Sequence, residues 1–133
     1  MSSIASVKSL DHLVLTVRDL DASIKFYQGV MGMRLESFAP ATSPDTKRYA
    51  LKFGSQKINL HVCGKEFEPK AQTVQPGSAD LCFLVEESVD EVLRELQAKG
   101  IEVLENGMVV NRTGAQGSLR SVYCRDPDGN LIE

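Results

Sequence analysis

The chain repeats itself at a constant spacing, and this repeat constrains its fold more than any other feature. A leucine, an aliphatic residue and a glycine of the first half recur 68 positions later, as Leu13 and Leu81, Ile24 and Val92, and Gly32 and Gly100. The three positions fall in turn on a strand-like run, a helix face and a helix stop. Two copies of one unit within 133 residues predict a single α+β domain of two tandem βαβββ modules.

The first module is predicted to span residues 9–63. Its helix begins at an aspartate cap, Asp19 or Asp21, and ends near residue 30. The run at 10–17 is apolar and β-branched, and further strands are predicted at 33–38, 48–53 and 57–63. Alternation places His12, Asn59 and His61 on the strand faces that point away from the helix.

The second module is predicted to span residues 78–133, after a polar, proline-containing linker at 64–77. Ser88 begins a capping box, and the helix that follows ends at Gly100. Strands are predicted at 79–85, 101–104 and 119–124, with a polar loop containing Arg112, Thr113 and Gly114 before the third.

The closing residues, Asp-Pro-Asp-Gly-Asn-Leu-Ile-Glu, predict a tight turn followed by a short buried strand. Asp128-Gly129 supplies the positive φ that a hairpin turn requires. Glu133 then lies at the end of a buried strand, where an unpaired carboxylate is strongly destabilising. A cation or hydrogen-bond donors are therefore expected beside it.

The repeat also aligns polar residues of the two modules. His12 superposes on Asp80 at the same spacing, whereas His61 and Glu133 differ by 72 positions. Moving the hairpin by two residues aligns Asn59 with Glu133 instead. In an open cup built from two modules, the concave side would hold these positions from the first and last strand of each module.

Such a group of side chains has the composition of a metal site. Two imidazoles with one or two carboxylates suit Zn²⁺, Ni²⁺, Fe²⁺, Mn²⁺ or Co²⁺, and the donors alone do not select among them. The alternative for each histidine is a structural role, and for Asp80 it is a turn cap.

Composition narrows the classes of partner. With a net charge of −3, the chain is not expected to bind nucleic acid or anionic membranes. Its apolar runs are shorter than a membrane span and its first residues lack the pattern of a signal peptide, so a cytoplasmic protein is predicted. The three cysteines, which have no CxxC spacing, are expected to be reduced and mostly buried.

Three stretches resemble the vicinal oxygen chelate superfamily, which contains glyoxalase I, fosfomycin-resistance proteins and extradiol dioxygenases. They are LDHLVLTVRDLDASIKFYQGVMGMRL, the FGSQKINLH hairpin and the terminal RDPDGNLIE. The similarity covers about residues 10–133. Within that superfamily, KINLH, GKEFEPKAQ, PGSADLCF and RTGAQG resemble the subgroup called glyoxalase domain-containing protein 5.

The resemblance implies a divalent metal ion held at four strand positions. His12 matches the ligand of the first strand and Glu133 matches the terminal carboxylate, while Asp80 stands where the superfamily commonly has a histidine. The remaining position falls on Asn59 by strict spacing, where glyoxalase I has a glutamate, but His61 is the better ligand. The predicted metal ligands are therefore His12, His61, Asp80 and Glu133, and Glu133 or Asp80 would also move a proton.

The resemblance further implies a small enzyme whose substrate chelates the metal through adjacent oxygens. Glyoxalase-type isomerisation and thiol addition to an epoxide are both compatible with this chemistry. The alternatives are a metal-free binding protein, as antibiotic-sequestering members are, and an inactive relative kept for protein contacts.

An anionic or thiol-containing substrate is expected to contact Asn59, Lys52, Arg112 and Thr113. The last two lie beside a glycine-rich stretch that could close over a ligand. Open sheet edges predict a homodimer, with the cup formed within one chain or shared across two.

Overall fold

The structure is a computed structural model that describes residues 2–133. Within them it contains two longer helices, α1 (Leu20–Gly29) and α2 (Val89–Ala98), and a four-residue helical turn, α3 (Leu104–Gly107). The strands are β1 (His12–Val17), β2 (Arg34–Phe38), β3 (Arg48–Phe53), β4 (Gln56–Val62), β5 (Asp80–Leu81), β6 (Val110–Gly114), β7 (Gly117–Ser121), β8 (Cys124–Arg125) and β9 (Leu131–Ile132). Each half therefore has the strand, helix, strands order of a βαβββ-type module, and the predicted α+β fold of two modules is confirmed.

The first module forms a four-stranded sheet in the order β1-β4-β3-β2. β1 is parallel to β4, and the other neighbouring strands are antiparallel. The side chains that this sheet buries with Tyr27 of α1 are Leu15, Val17, Leu51, Ile58 and Leu60. The other side of the sheet, here called the open face, carries the alternating residues His12, Asn59 and His61.

Both helices begin where the sequence predicts a cap. Asp19 accepts a hydrogen bond from the Ala22 amide at 3.1 Å, and Ser88 Oγ accepts one from the Glu91 amide at 3.3 Å. These caps satisfy amide groups that a first helical turn leaves without a partner.

The second module is less regular than the sequence predicts. Its sheet has the order β5-β9-β8, and β6 and β7 form a separate hairpin. The strand expected at 101–104 is absent: Leu104–Gly107 forms a turn in which Glu105 and Asn106 have left-handed φ values of 56° and 60°. Left-handed residues cannot continue a strand, and Asn106-Gly107 favours such a turn.

Two further boundaries of the second module differ from expectation. The predicted loop around Arg112 is strand β6, because residues 110–114 pair antiparallel with β7. The strand expected at 79–85 pairs in β5 only at Asp80 and Leu81. The pairing with the terminal residues extends a little further, since Phe83 N–H donates to the Glu133 carbonyl at 2.8 Å.

The terminal turn joins the two modules. Asp126 is buried and accepts hydrogen bonds from Tyr27 Oη at 2.6 Å and from the Asp128 and Asn130 amides at 2.9 Å. Asn130 Oδ1 accepts from the Ala79 amide at 2.8 Å. Gly129 has the positive φ, 92°, that the sequence predicts. The turn therefore fixes β9 against both α1 and the start of β5.

One hydrophobic cluster includes residues of both modules. Cys124 and Ile132 of the second module are buried with Leu15, Val17 and Met33 of the first. The prediction of mostly buried cysteines is wrong, since Cys124 is buried but Cys63 and Cys82 are exposed; all three are free thiols. No helix within residues 2–133 is long and apolar enough to cross a membrane.

Candidate functional site

Strand register decides which residue of the first module is equivalent to Glu133. In the parallel pair β1–β4, His12 lies opposite Lys57, so Asn59 is two residues beyond the level of His12. In the parallel pair β5–β9, Asp80 lies opposite Leu131, so Glu133 is two residues beyond the level of Asp80. Asn59 and Glu133 are therefore equivalent, and the alignment of His61 with Glu133 is wrong by two residues.

The same register separates the two imidazoles. His61 lies opposite Thr16, four residues along β1 from His12, which is about 13 Å at the usual rise of a strand. Asn59 is only about 7 Å along from His12 by the same measure. The open face thus brings Asn59 close to His12, and it does not bring His61 close to it.

Asn59 has an unsatisfied acceptor. Its Oδ1 is buried and has no hydrogen-bond partner among the described residues. Buried carbonyl oxygens are normally paired, so an acceptor without a donor on this face is a position for a cation or for a ligand N–H or O–H.

Glu133 lies among polar groups of the second module. Ser121 Oγ donates to Glu133 Oε2 at 2.7 Å, and the backbone of Glu133 is fixed by bonds to Leu81 and Phe83. Burial raises the pKa of the nearby Cys82 thiol, and the Glu133 carboxylate raises it further by charge and hydrogen bonding. The carboxylate is thus positioned by a hydroxyl and faces a protonated thiol.

Glu133 also borders a cavity. This cavity has a volume of about 610 Å³ and lies between α2 and the second sheet, with walls that include Cys82, Leu84, Val92, Leu96, Ile132 and Glu133. Its size falls in the range of small-molecule sites, and most of these walls are apolar.

His12 and Asp80 are both at the molecular surface. The His12 side chain is 45% exposed and its Nδ1 bonds to Asp11 at 2.8 Å, whereas Asp80 is exposed at the start of β5. Across residues 2–133, no group of three or more histidine, cysteine, aspartate or glutamate side chains is placed to hold a metal ion. The four predicted ligands therefore form no such group within the described residues, and their role as ligands stays a prediction.

The predicted substrate-binding residues have different surroundings. Arg112 Nε donates to Tyr123 Oη at 3.0 Å, and Thr113 is exposed on β6. Lys52 lies 3.7 Å from Glu36 on the open face of the first sheet. Arg112 and Lys52 are therefore partly engaged by neighbours within the chain.

One group on the open face contains Phe67, a residue that the sequence did not single out. Arg48, His61 and Phe67 lie together: Arg48 Cζ is 4.0 Å from the centroid of the Phe67 ring, and the His61 and Phe67 rings are 5.4 Å apart. Phe67 belongs to the segment predicted as a linker. An isolated aromatic residue in that otherwise polar segment is the signal that could have indicated this packing.

Comparison with known proteins identifies a family similarity over almost the whole chain. A model of the Glyoxalase/Bleomycin resistance protein/Dioxygenase superfamily matches residues 9–133. Glyoxalase domain-containing protein RDO1 of Mycosarcoma maydis is 53% identical over 128 residues, which cover 96% of this chain and 68% of RDO1. Virulence protein STM3117 of Salmonella typhimurium is 48% identical over 127 residues, covering 96% of this chain and 83% of that protein.

Solved structures agree with this similarity. The crystal structure of STM3117 matches with a TM-score of 0.84 at 46% identity, covering 96% of this chain and 95% of that one. An integron cassette protein from V. cholerae matches with a TM-score of 0.87 at 48% identity, covering 98% and 95% of the two chains. None of these proteins bears the name of the narrower subgroup that the KINLH and GKEFEPKAQ stretches resemble.

Proposed function

Because this chain belongs to the glyoxalase/bleomycin resistance protein/dioxygenase superfamily, we propose that it is a metal-dependent enzyme whose substrate binds through adjacent oxygens. We place its metal centre between two copies of the chain. The observation that carries this proposal is the equivalence of two pairs: His12 with Asn59 on the first sheet, and Asp80 with Glu133 on the second.

Each pair has half of a four-ligand set. The pairs occupy corresponding positions on separate sheets, and the described chain contains no complete cluster. A second copy that brings its Asp80–Glu133 pair beside the His12–Asn59 pair would complete the set. The buried, unpartnered Oδ1 of Asn59 is consistent with a ligand at that position. His61 is not included in this set, because it lies two residues beyond Asn59 on β4 and is therefore too far from His12.

The free sheet edges support an association of this kind. β1 is an edge of the first sheet and β5 is an edge of the second. Large apolar side chains are exposed beside both edges: Leu10 and Val14 at β1, and Leu84 and Val85 after β5. Pairing the β1 edge of one copy with the β5 edge of another would cover these groups and bring His12 next to Asp80 of that other copy.

The side chains have separate roles in this proposal. A bound divalent metal would supply a Lewis acid for negative charge that develops on the substrate oxygens. Glu133 is the candidate to accept and return a proton, because its carboxylate is held by Ser121 Oγ at the wall of a largely apolar cavity. Ser121 would orient the carboxylate, and the cavity walls would limit access of water.

Metal content of purified, reconstituted protein tests the proposal. Wild-type protein is expected to retain about one transition-metal ion per chain, and His12→Ala and Glu133→Gln should each lose it. His61→Gln is the matched control, and it should keep the metal because His61 lies outside the proposed set. Wild-type protein that retains no metal, or loss of metal in His61→Gln alone, would contradict the proposal.

A metal-free binding protein of the same fold is the second candidate. The cavity of about 610 Å³, with mainly apolar walls, favours it, since this is a suitable size for a drug-like molecule. In that case an apolar ligand would bind equally well to wild-type protein and to His12→Ala. We also propose that the chain belongs to the glyoxalase domain-containing protein 5 subgroup.

A further inference from the structure

Two buried nitrogen atoms on the open face have no hydrogen-bond partner. Arg48 Nε and His61 Nδ1 are both enclosed, and no described residue bonds to either atom. His61 as a whole is only 8% exposed. Leaving such groups without partners is destabilising, because their lost hydration is not replaced. Two adjacent cases on one face therefore indicate a ligand.

The two atoms belong to one group of neighbouring side chains, Arg48, His61 and Phe67, here called the slot. Tyr49 lies opposite Leu60 in the antiparallel pair β3–β4, so Arg48 and His61 form the next cross-strand pair and share the open face. Phe67 covers both side chains, at 4.0 Å from Arg48 Cζ and 5.4 Å from the His61 ring. Phe67 therefore packs over both side chains.

The charge of the slot is positive. Arg48 forms no ion pair with an acidic side chain of residues 2–133. Glu66, whose charge acts on His61, is held by the Gly64 amide at 3.0 Å. His61 lies beside the fixed Arg48 cation, across the β3–β4 pair. Nδ1 of its imidazole can carry a proton and donate it in a hydrogen bond.

We infer that this slot binds a carboxylate group of the substrate, with one oxygen accepting from Arg48 Nε and the other from His61 Nδ1. A carboxylate has two acceptor oxygens for these two donors, and charge-assisted bonds of this type are strong. The inference rests on the proposed function, to which it adds a substrate class: a small carboxylic acid.

The slot lies at a useful distance from the proposed metal position. His61 is two residues beyond Asn59 on β4, about 7 Å along the strand. A molecule a few carbons long could therefore place its carboxylate between Arg48 and His61 and reach the level of Asn59 with oxygens at its other end. The spacing limits the substrate to a short chain.

Side-chain NMR of wild-type protein tests the inference in the presence of a metal chelator. Titration with sodium lactate should shift the Arg48 Nε–H and His61 ring signals and reach saturation. Glycerol, which is neutral, should leave both signals in place. Absence of saturable shifts with lactate would overturn the inference, and saturation with inorganic phosphate but not with lactate would overturn the carboxylate class.

Variants locate the binding. Arg48→Gln should weaken lactate binding at least about tenfold, because it removes the charged donor. Arg34→Gln on the same sheet is the matched control and should leave the affinity unchanged. Equal weakening in the two variants would show a general charge effect and would contradict the slot. If Arg48→Gln does not fold, Arg48→Lys takes its place, with the same expected direction.

The outcome of the lactate titration can be distinguished from the outcome of the metal test. The titration needs no metal, so lactate binding in protein that never takes up metal would leave the slot intact and remove only the metal centre. Metal retention without lactate binding would support the metal centre and overturn the carboxylate slot.

Discussion

Asp126 is the residue that makes the terminal turn rigid, through bonds to the Asp128 and Asn130 amides, to Asn130 Nδ2 and to Tyr27 Oη. Burial and the Asp126 carboxylate both raise the pKa of the Tyr27 phenol above its ordinary value of 10.0. The neutral phenol is therefore part of the folded state, and its ionisation opposes folding.

Tyr27→Phe should lower the free energy of unfolding at pH 7 by about 1–3 kcal/mol, because it leaves a buried carboxylate with one donor fewer. The folded pKa of Tyr27 is raised, so its contribution is complete below about pH 10 and is lost as pH rises beyond that value. Urea titrations at pH 7, 9 and 10.5 should show the difference between wild type and variant shrinking at high pH. A difference that grows with pH would contradict this sign.

Gly77 gives a second test at the residue scale. Its φ is +81°, and a Cβ there would lie 2.4 Å from the Asp128 carbonyl oxygen. Gly77→Ala should therefore cost well over the ~1 kcal/mol of left-handed strain alone. Gly54→Ala is the control, because Gly54 has φ +52° with nothing within 4 Å of a Cβ. Gly77→Ala should melt at a clearly lower temperature than Gly54→Ala. Equal melting temperatures would contradict a close contact between residue 77 and the Asp128 carbonyl.

Sequence alone could not choose between Asn59 and His61. The two side chains are two residues apart on one strand, so alternation places both on the same face. Only the pairing of β4 with β1, and of β9 with β5, fixes their levels relative to His12 and Asp80. Phe67 contacts Arg48 and His61 after the chain turns back beyond β4, and apart from the isolated aromatic residue at position 67 no local pattern predicts these contacts.

At the scale of elements, the predicted strand bounds agree with the structure more closely in the first module than in the second. Strand β3 was predicted with the bounds it has, and the others differ by one or two residues. Glycine or proline lies close to the ends of these runs, at Gly32, Pro40 and Gly54, which makes their bounds clear. The run at 101–104 has the same character but is followed by Glu105-Asn106-Gly107, whose left-handed turn overrides it.

The cap of α2 provides a test at this scale. Ser88→Ala should lower the free energy of unfolding by about 1 kcal/mol, because the Glu91 amide loses its acceptor. Ser118→Ala, at an exposed position of β7, should change it by less than about 0.5 kcal/mol. Chemical denaturation measures the free energy of unfolding of both variants. Similar losses in the two would show that the Ser88 cap does not stabilise α2.

At the scale of the whole molecule, the exposed apolar groups beside β1 and β5 predict a dimer. Leu84 is 70% exposed and follows the β5 edge, so Leu84→Lys should dissociate the dimer by placing charge in its interface. Met108→Lys is the control, since Met108 is 60% exposed but lies away from both edges in sequence. Sedimentation velocity should show monomer for the first variant and dimer for the second. A monomeric wild-type protein would refute the shared site.

The most direct test of a metal centre shared between copies is complementation in a mixed dimer. A dimer of one His12→Ala copy and one Glu133→Gln copy, purified through two different affinity tags, would contain one site with both ligands intact and one with both lost. Elemental analysis should then find about one metal ion per mixed dimer, against almost none in either variant homodimer. A mixed dimer as empty of metal as the homodimers, beside a wild-type dimer that binds two ions, would show that the centre lies within one chain.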